Sequence, residues 1–199
     1  MPIPKSSHYA VLGMLSLGPR SGYEIRRELA ESIGAFWNES YGQIYPALRE
    51  LSKKGLARRH AARRPRGPAR FVYEITPKGR DTLRRWLAEP PRATPPRNEL
   101  LLKLFFMDRD GVDAPAVWTR ALLAEETERL RHVRRMKEQL PRGPQHNRSL
   151  RFWMMTLEYV EKQSEATAAW CQRTIATLDL MQEALARRRT AAQRRSPLE

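Results

Sequence analysis

Apolar residues recur along this chain at spacings of three and four, then of two, then of three and four again, and the changes of period divide it into elements. Tyr9, Leu12, Leu15 and Leu17 share one face of a first helix that Ser7 opens and that Gly18 and Pro19 close. Ser21 and Glu24 have the spacing of a capping box, and the helix they start turns Ile25, Leu29 and Ile33 inward and Arg26, Arg27 and Glu31 outward. Phe36 and Trp37, in the turn over residues 34–39, are large enough to lock that turn onto the core. Ser40 and Gln43 repeat the capping-box spacing ahead of an inward stripe of Ile44, Ala47, Leu48 and Leu51. Tyr45, Pro46, Arg49 and Lys53 fall on the opposite side, and Gly55 stops the helix. Pro46 cannot donate to the carbonyl of Gly42, so the first turn is expected to be weakened or slightly bent.

The period then shortens. LARRHAA, residues 56–62, is a strand by context more than by propensity, whereas FVYEI, residues 71–75, alternates well, with Phe71, Tyr73 and Ile75 on one face. The RRPRGPA between them is a loop, because Pro65, Gly67 and Pro68 prevent regular structure while Arg63, Arg64 and Arg66 crowd its tip. Thr76 and Pro77 start a fourth helix whose Leu83, Trp86 and Leu87 form its buried side. Helix, helix, helix, hairpin, helix makes a compact winged helix-turn-helix domain over residues 1–89.

A proline-rich, extended linker covers residues 90–98, and residues 99–199 contain no convincing strand. ELLLKLFFM is a short apolar helix; Asp113 and Pro115 open another that runs through Trp118, Leu122, Leu130 and Val133 to Leu140. From Ser149 to about Arg188 a final helix carries Leu150, Trp153, Leu157, Val160, Cys171, Leu178, Met181 and Leu185 at alternating threes and fours. Its length exceeds what the short elements of its own chain can cover, so its stripe predicts a second copy. The fold class is therefore mainly α with a small β-hairpin: an N-terminal winged helix-turn-helix domain and an all-α C-terminal dimerisation domain with one long final helix.

Charge changes the picture from fold to partner. The 199 residues carry a formal net charge of +15, which points to a polyanion, either nucleic acid or an acidic membrane surface. Eight Lys or Arg and no Asp or Glu occur between Lys53 and Arg70, so the hairpin beside the third helix is basic. A membrane role is disfavoured because these charges sit on a Pro-containing hairpin rather than along an amphipathic helix. No stretch approaches the roughly 20 apolar residues that span a bilayer, and the N-terminus is a poor secretory signal. Cys171 alone builds neither a disulfide framework nor a zinc site, which suits a soluble protein in a reducing cytoplasm. His8, His60, His132 and His146 have no metal-ligand spacing and read as surface or locally satisfied residues; no metal or cofactor is expected. A Gly-rich phosphate loop, nucleophile-elbow spacing and a clustered His and carboxylate set are all missing, which argues against an enzyme.

YAVLGMLSLGPRSGYEIRREL, then FWNESYGQIYPALRELSKKGL, then FVYEITPKGRDTL together resemble the winged-helix domain of PadR-family transcriptional regulators, over about residues 9–86. The long final helix resembles the larger subfamily, with an extended C-terminal dimerisation domain. The resemblance implies a homodimeric repressor that binds a palindromic double-stranded DNA operator and is released by a small molecule. It implies that the helix over residues 43–54 enters the major groove and that the basic wing lies along the backbone or the minor groove. The arginine-rich wing departs from the family, and the tail over residues 187–195 is not explained by it.

On that basis Gln43 and Arg49 are expected to reach base edges, Gln pairing with adenine and Arg with guanine. Ser21, Tyr23, Tyr41, Tyr45 and Lys53 are expected at phosphates, with Tyr23 and Tyr45 equally readable as packing residues with a polar tip. Arg63, Arg64 and Arg66 are expected on the flanking backbone or a narrow minor groove. Phe105, Phe106, Trp118, Trp153, Met154, Met155 and Trp170 are of the kind that lines an adaptable site for a flat effector, with Arg151 or Arg148 as partner to a carboxylate, although such residues at helical spacing are more often core. Non-specific nucleic-acid binding without an effector is the alternative.

Overall fold

The computed structural model describes residues 6–34, 36–37, 39–62, 70–91, 97–107, 113–140 and 148–195. Their elements are α1 (Ser6–Ser16), α2 (Gly22–Ser32), α3 (Tyr41–Lys53), β1 (Ala57–Ala62), β2 (Arg70–Ile75), α4 (Pro77–Ala88), α5 (Glu99–Phe105), α6 (Asp113–Gln139) and α7 (Arg148–Arg195). The chain divides into two units, Met1–Thr94 and Pro95–Glu199.

In the first unit the apolar stripes of three helices meet. Val11, Leu12 and Leu15 of α1, Ile25 and Leu29 of α2, and Ile44, Leu48 and Leu51 of α3 are fully buried together, with Tyr73 and Ile75 of β2 beneath them. Local chemistry fixes the helix starts. Ser21 Oγ accepts from the Glu24 amide at 3.3 Å while the Glu24 carboxylate accepts from the Ser21 amide at 2.9 Å. At α3 the Gln43 side-chain oxygen accepts from both the amide (2.9 Å) and the hydroxyl (3.0 Å) of Ser40. The helix runs through Pro46, which lies near its start and has no N–H to give the Gly42 carbonyl. Gly55, at φ 69°, lets the Leu56 amide turn back to the Leu51 carbonyl at 2.8 Å.

β1 and β2 pair antiparallel with Ala57 opposite Ile75 and Arg59 opposite Tyr73. A third, single-residue strand joins them: Arg20 and Tyr73 exchange backbone hydrogen bonds at 3.0 and 2.8 Å, a pairing that periodicity did not reveal. Thr76 Oγ1 caps α4 by accepting from the Gly79 amide at 3.1 Å and donates to the Gly55 carbonyl at 2.7 Å.

Several residues depart from the sequence expectation. Ser7 lies inside α1, which begins at Ser6, and so does not cap it. Leu17 is 52% exposed, because α1 ends at Ser16 and the Leu17 and Gly18 amides fold back to Met14 and Leu15. Phe36 is also exposed; the turn is held by Phe36 and Trp37 amides on the Ile33 carbonyl and by Trp37 Nε1 on Glu39 at 2.9 Å. Leu87 lies beyond the point where Trp86 stacks on Tyr9, with ring centroids 4.4 Å apart, and it faces outward. His8 is buried rather than superficial, with Nε2 3.0 Å from the Glu50 carboxylate, which ties α1 to α3.

In the second unit α6 and α7 form an antiparallel pair. Gln182 donates to Asp113 at 2.7 Å and Arg120 to Asp179 at 2.5 Å at one end; Arg134 meets Glu161 and Glu165, each at 3.2 Å, and Lys137 meets Glu161 at 2.6 Å toward the other. Along the pair Leu157, Val160, Ala168, Cys171 and Leu178 of α7 are buried, as are Ala116 and Val133 of α6. The expectation that no element of the same chain is long enough to cover α7 is thus corrected for its middle: α6 has 27 residues and lies along it. The first turns of α7 remain open, and α5 buries none of its residues despite its composition.

Candidate nucleic-acid interface

The outer side of the first unit carries a cleft of about 390 Å³ lined by Ser21, Gly22, Tyr23, Tyr45, Arg49, Arg59, Phe71 and Tyr73. Three elements make it. The N-terminus of α2 supplies its floor, α3 contributes Tyr45 and Arg49 from its polar side, and the hairpin closes it with Arg59, Phe71 and Tyr73. Gly22 allows the approach: a β-carbon there would stand 2.7 Å from Tyr45 Cε1 and 3.2 Å from Leu48 Cδ1.

The electrostatics of the cleft follow from which arginines are already engaged. Arg20 is a structural residue, bound to Glu28 at 2.5 Å and to the Met14 and Gly18 carbonyls. Arg27 pairs with Glu31. Among the described residues Arg49 and Arg59 carry no carboxylate partner, although the Arg59 guanidinium lies 4.1 Å from the centre of the Phe71 ring. Two such cations beside a helix N-terminus and tyrosine hydroxyls form a setting for an anionic oxygen group.

The expected contact residues are partly brought together. Tyr23 and Tyr45 line the cleft and are 55% and 41% exposed, so neither is a core residue. Tyr41 stacks on Tyr45, with ring centroids 6.1 Å apart, and the Arg26 guanidinium lies 4.1 Å from the Tyr41 ring centre. Lys53 is exposed at the last turn of α3. Ser21 is buried in its capping box, so its hydroxyl is committed locally and the α2 terminus is what it presents. Gln43 is exposed, but its oxygen serves the Ser40 cap, the same oxygen that a bidentate pair with adenine requires. Arg63, Arg64 and Arg66 lie outside the described residues.

Arg59, Arg26 and Gly22 were missed. The signal for Arg59 was present: in a strand of period two it shares a face with the buried Ala57, toward α2 and α3.

The residues suggested for an effector do not form one pocket within the chain. Trp118 sits near the Arg120–Asp179 end of the helix pair, with Lys103 Nζ 5.1 Å from its ring centre, whereas Trp153 and Met154 are on the opposite end of α7. The stretch of α7 from Trp153 to Asp179 spans about 39 Å. Phe105 is 82% exposed, and Trp153 and Met154 are half-open. Arg151 is exposed and the side chain of Arg148 lies outside the described residues. Among the described residues no three His, Cys, Asp or Glu side chains are grouped to hold a metal, and no helix is long and apolar enough to cross a membrane.

Comparison with known proteins places this geometry. The model of the transcriptional regulator PadR-like family matches residues 11–85, and that of the virulence activator alpha C-terminal region matches residues 96–179. The negative transcriptional regulator PadR of Bacillus subtilis is 32% identical over 100 residues, 50% of this chain and 55% of that protein. A probable transcriptional regulator of Mycobacterium tuberculosis is 38% identical over 88 residues, 44% of this chain and 47% of its own. The chain thus spans about half the length of the curated relatives it matches. Among solved structures, B. subtilis PadR in complex with operator DNA superposes with a TM-score of 0.72 at 22% identity, over 87% of this chain and 99% of that one. The same protein in complex with p-coumaric acid gives 0.65 at 23%, over 88% and 99%. These likenesses carry the mainly helical, winged-helix architecture across both units, and the relatives named are regulators rather than enzymes. Residues 11–85 thus match the PadR-like family of transcriptional regulators, and the chain is similar to members of that family.

Proposed function

We propose that this protein is a homodimeric, sequence-specific repressor that binds a palindromic DNA operator and leaves it when a small aromatic effector binds. The observation that carries the DNA reading is the cleft: Arg49 and Arg59, without carboxylate partners among the described residues, face the N-terminus of α2 beside the exposed side of α3. In this reading a backbone phosphate enters between Arg59, Tyr23 and the first amides of α2, which sets α3 into the major groove. Arg49, one turn beyond Tyr45, extends from the cleft to a guanine edge, and Lys53 holds the next phosphate. Arg63, Arg64 and Arg66 follow the flanking backbone.

The dimer reading is supported by surface left open in the second unit. Phe152, Met155 and Tyr159 share one face of α7 at spacings of three and four and are 67%, 62% and 68% exposed, and α5 adds Leu101, Leu102, Phe105 and Phe106. A two-fold pairing of α7 covers this face and makes the operator palindromic, since a symmetric protein reads a symmetric site. Because Phe105 and Trp118 are far along the helix pair from Trp153 and Met154, an effector touching both sets lies between two copies. The B. subtilis relative in complex with p-coumaric acid makes that compound the first effector to try.

The test is selection of binding sites from random duplex DNA, followed by salt titrations with the best and a scrambled duplex. A two-fold symmetric site bound about 10³-fold more tightly than the scrambled duplex is expected. Arg59→Ala should weaken all duplexes alike and reduce the slope of log K against log salt by about 0.9, whereas Arg49→Ala should relax preference at one base position. Recovery of no common sequence, with equal affinities and slopes, overturns the proposal in favour of non-specific binding.

A further inference from the structure

The family match over the C-terminal unit ends at residue 179, yet α7 continues as helix to Arg195, about 24 Å further. Its contacts with α6 end earlier. Gln182 is bound to Asp113, the first residue of α6, and Leu185 is the last apolar side chain packed against the cluster of Ala116 and Leu178. Beyond Leu185 the helix continues as ARRRTAAQRR, residues 186–195. Between residues 180 and 195 there are five Arg and one acidic residue, Glu183, which lies 3.4 Å from Arg187. Exposed i,i+4 pairs of this kind are weak. Arg187 and Arg188 are both exposed.

Two ordinary explanations fall short of this pattern. Basic residues stabilise a helix C-terminus through its dipole, but that effect is confined to the last turn, whereas Arg187 to Arg189 lie two turns before the end of α7. A helix lying on an anionic membrane needs a face of large apolar side chains, and after Leu185 the helix offers only alanine as apolar residue. What remains is a basic helix end, with Arg187 and Arg188 exposed on it and three further Arg in its sequence, which suits a polyanion.

We propose that the last turns of α7, from Arg187 onward, form a second DNA-binding element that grips the phosphate backbone of a duplex without reading its sequence. It rests on the DNA-binding reading of the first unit and adds to it an electrostatic contact that the family match does not cover. Five Arg can engage several phosphates, so the element steepens the salt dependence of all binding and leaves sequence preference unchanged.

The experiment uses the full chain and three forms of it: wild type, the quintuple variant R187Q/R188Q/R189Q/R194Q/R195Q, and the same five positions changed to Lys. Each is titrated by fluorescence anisotropy against a labelled 40-base-pair duplex of random sequence at several salt concentrations, and against vesicles containing phosphatidylserine. Circular dichroism checks that helix content is retained. The Gln variant is expected to bind the duplex about tenfold or more weakly at low salt, with a slope smaller by about two or more, and the Lys variant to retain both. Equal affinity and slope for wild type and the Gln variant overturn the proposal, as does equal loss in the Lys variant, which would trace the effect to something other than charge. Binding to vesicles that depends on the five positions, with duplex binding that does not, assigns the tail to a membrane instead. A wild type that binds no duplex overturns this inference together with the DNA reading; one that binds with an unaltered Gln variant overturns this inference alone.

Discussion

The ring of Tyr45 rests directly on Gly22, so that a β-carbon added at position 22 would stand 2.7 Å from Tyr45 Cε1 and 3.0 Å from Cζ. The contact joins the polar face of α3 to the N-terminus of α2, and it sets the width of the cleft between them. Gly22→Ala should therefore push the Tyr45 ring outward while leaving the helices in place, because the ring is the far end of a half-exposed side chain. A stability loss of about 1 kcal/mol is expected, at the low end for overpacking, with a several-fold loss of duplex affinity. Thermal melts and binding titrations on one preparation test this, and unchanged affinity would show that the cleft takes no part in binding.

Gly79 offers a contrasting case. A β-carbon there would lie 2.1 Å from the Leu56 carbonyl oxygen, a backbone atom held by the hairpin and by the Thr76 amide at 3.1 Å. Nothing flexible can yield, so Gly79→Ala should cost about 3 kcal/mol, toward the upper end for overpacking. Chemical denaturation measures it; a loss below that of Gly22→Ala would contradict the distinction between backbone and side-chain obstacles.

These two glycines mark the limit of what the sequence disclosed. The stripe of Ile44, Ala47, Leu48 and Leu51 was legible because helical period alone fixes which side is buried, and all four are buried. The Ser21 and Glu24 capping box was legible because its spacing is its mechanism. Leu17 and Leu87 were misread because periodicity says which face points inward but not where the core stops. The cover that α6 gives α7 was not legible for a related reason: helical period fixes a buried face but not which other helix lies against it. Gly22 depends on a contact between residues 23 positions apart, which no local pattern encodes.

Acid should loosen the helix pair of the second unit. The hydrogen bond from Lys137, and after it that from Arg134, hold the Glu161 carboxyl below the ordinary glutamate range against the opposing effect of burial. A carboxyl whose folded value is depressed contributes stability that is present above its unfolded value, about 4.3, and is lost as pH falls through the folded one. Glu161→Gln should lower the melting temperature at neutral pH and flatten its decline between about pH 5 and pH 2. A variant whose melting temperature declines as steeply as that of the wild type would remove Glu161 as the source.

Cys171 should be inert while the protein is folded. It is fully buried between α6 and α7, and burial, followed by the charge of Glu126, pushes its thiol upward from the ordinary cysteine range. The thiolate is the reactive form, so both access and ionisation oppose attack. Iodoacetamide at mildly alkaline pH should leave Cys171 unmodified in native protein and label it fully in denaturant. Labelling of native protein at the rate of a free thiol would mean that the two helices part far more readily than their ion pairs suggest.

The open face at the start of α7 leads to the last prediction. Phe152, Met155 and Tyr159 form a single apolar stripe that no described residue of the same unit covers, while Leu157 and Val160 on the adjoining face are buried. If a second copy lies against that stripe, placing a carboxylate in its centre leaves a charge with no partner and removes apolar area at the same time. Met155→Glu should convert the dimer to a monomer in light scattering at micromolar concentration, with helix content preserved because α6 still covers the middle of α7. The winged-helix unit would remain able to touch DNA, so binding to a single half-site should persist weakly while the gain from a second half-site disappears. Wild-type protein that is monomeric at the same concentration would exclude the dimer; a Met155→Glu variant that stays dimeric would move the interface to another face of the C-terminal unit.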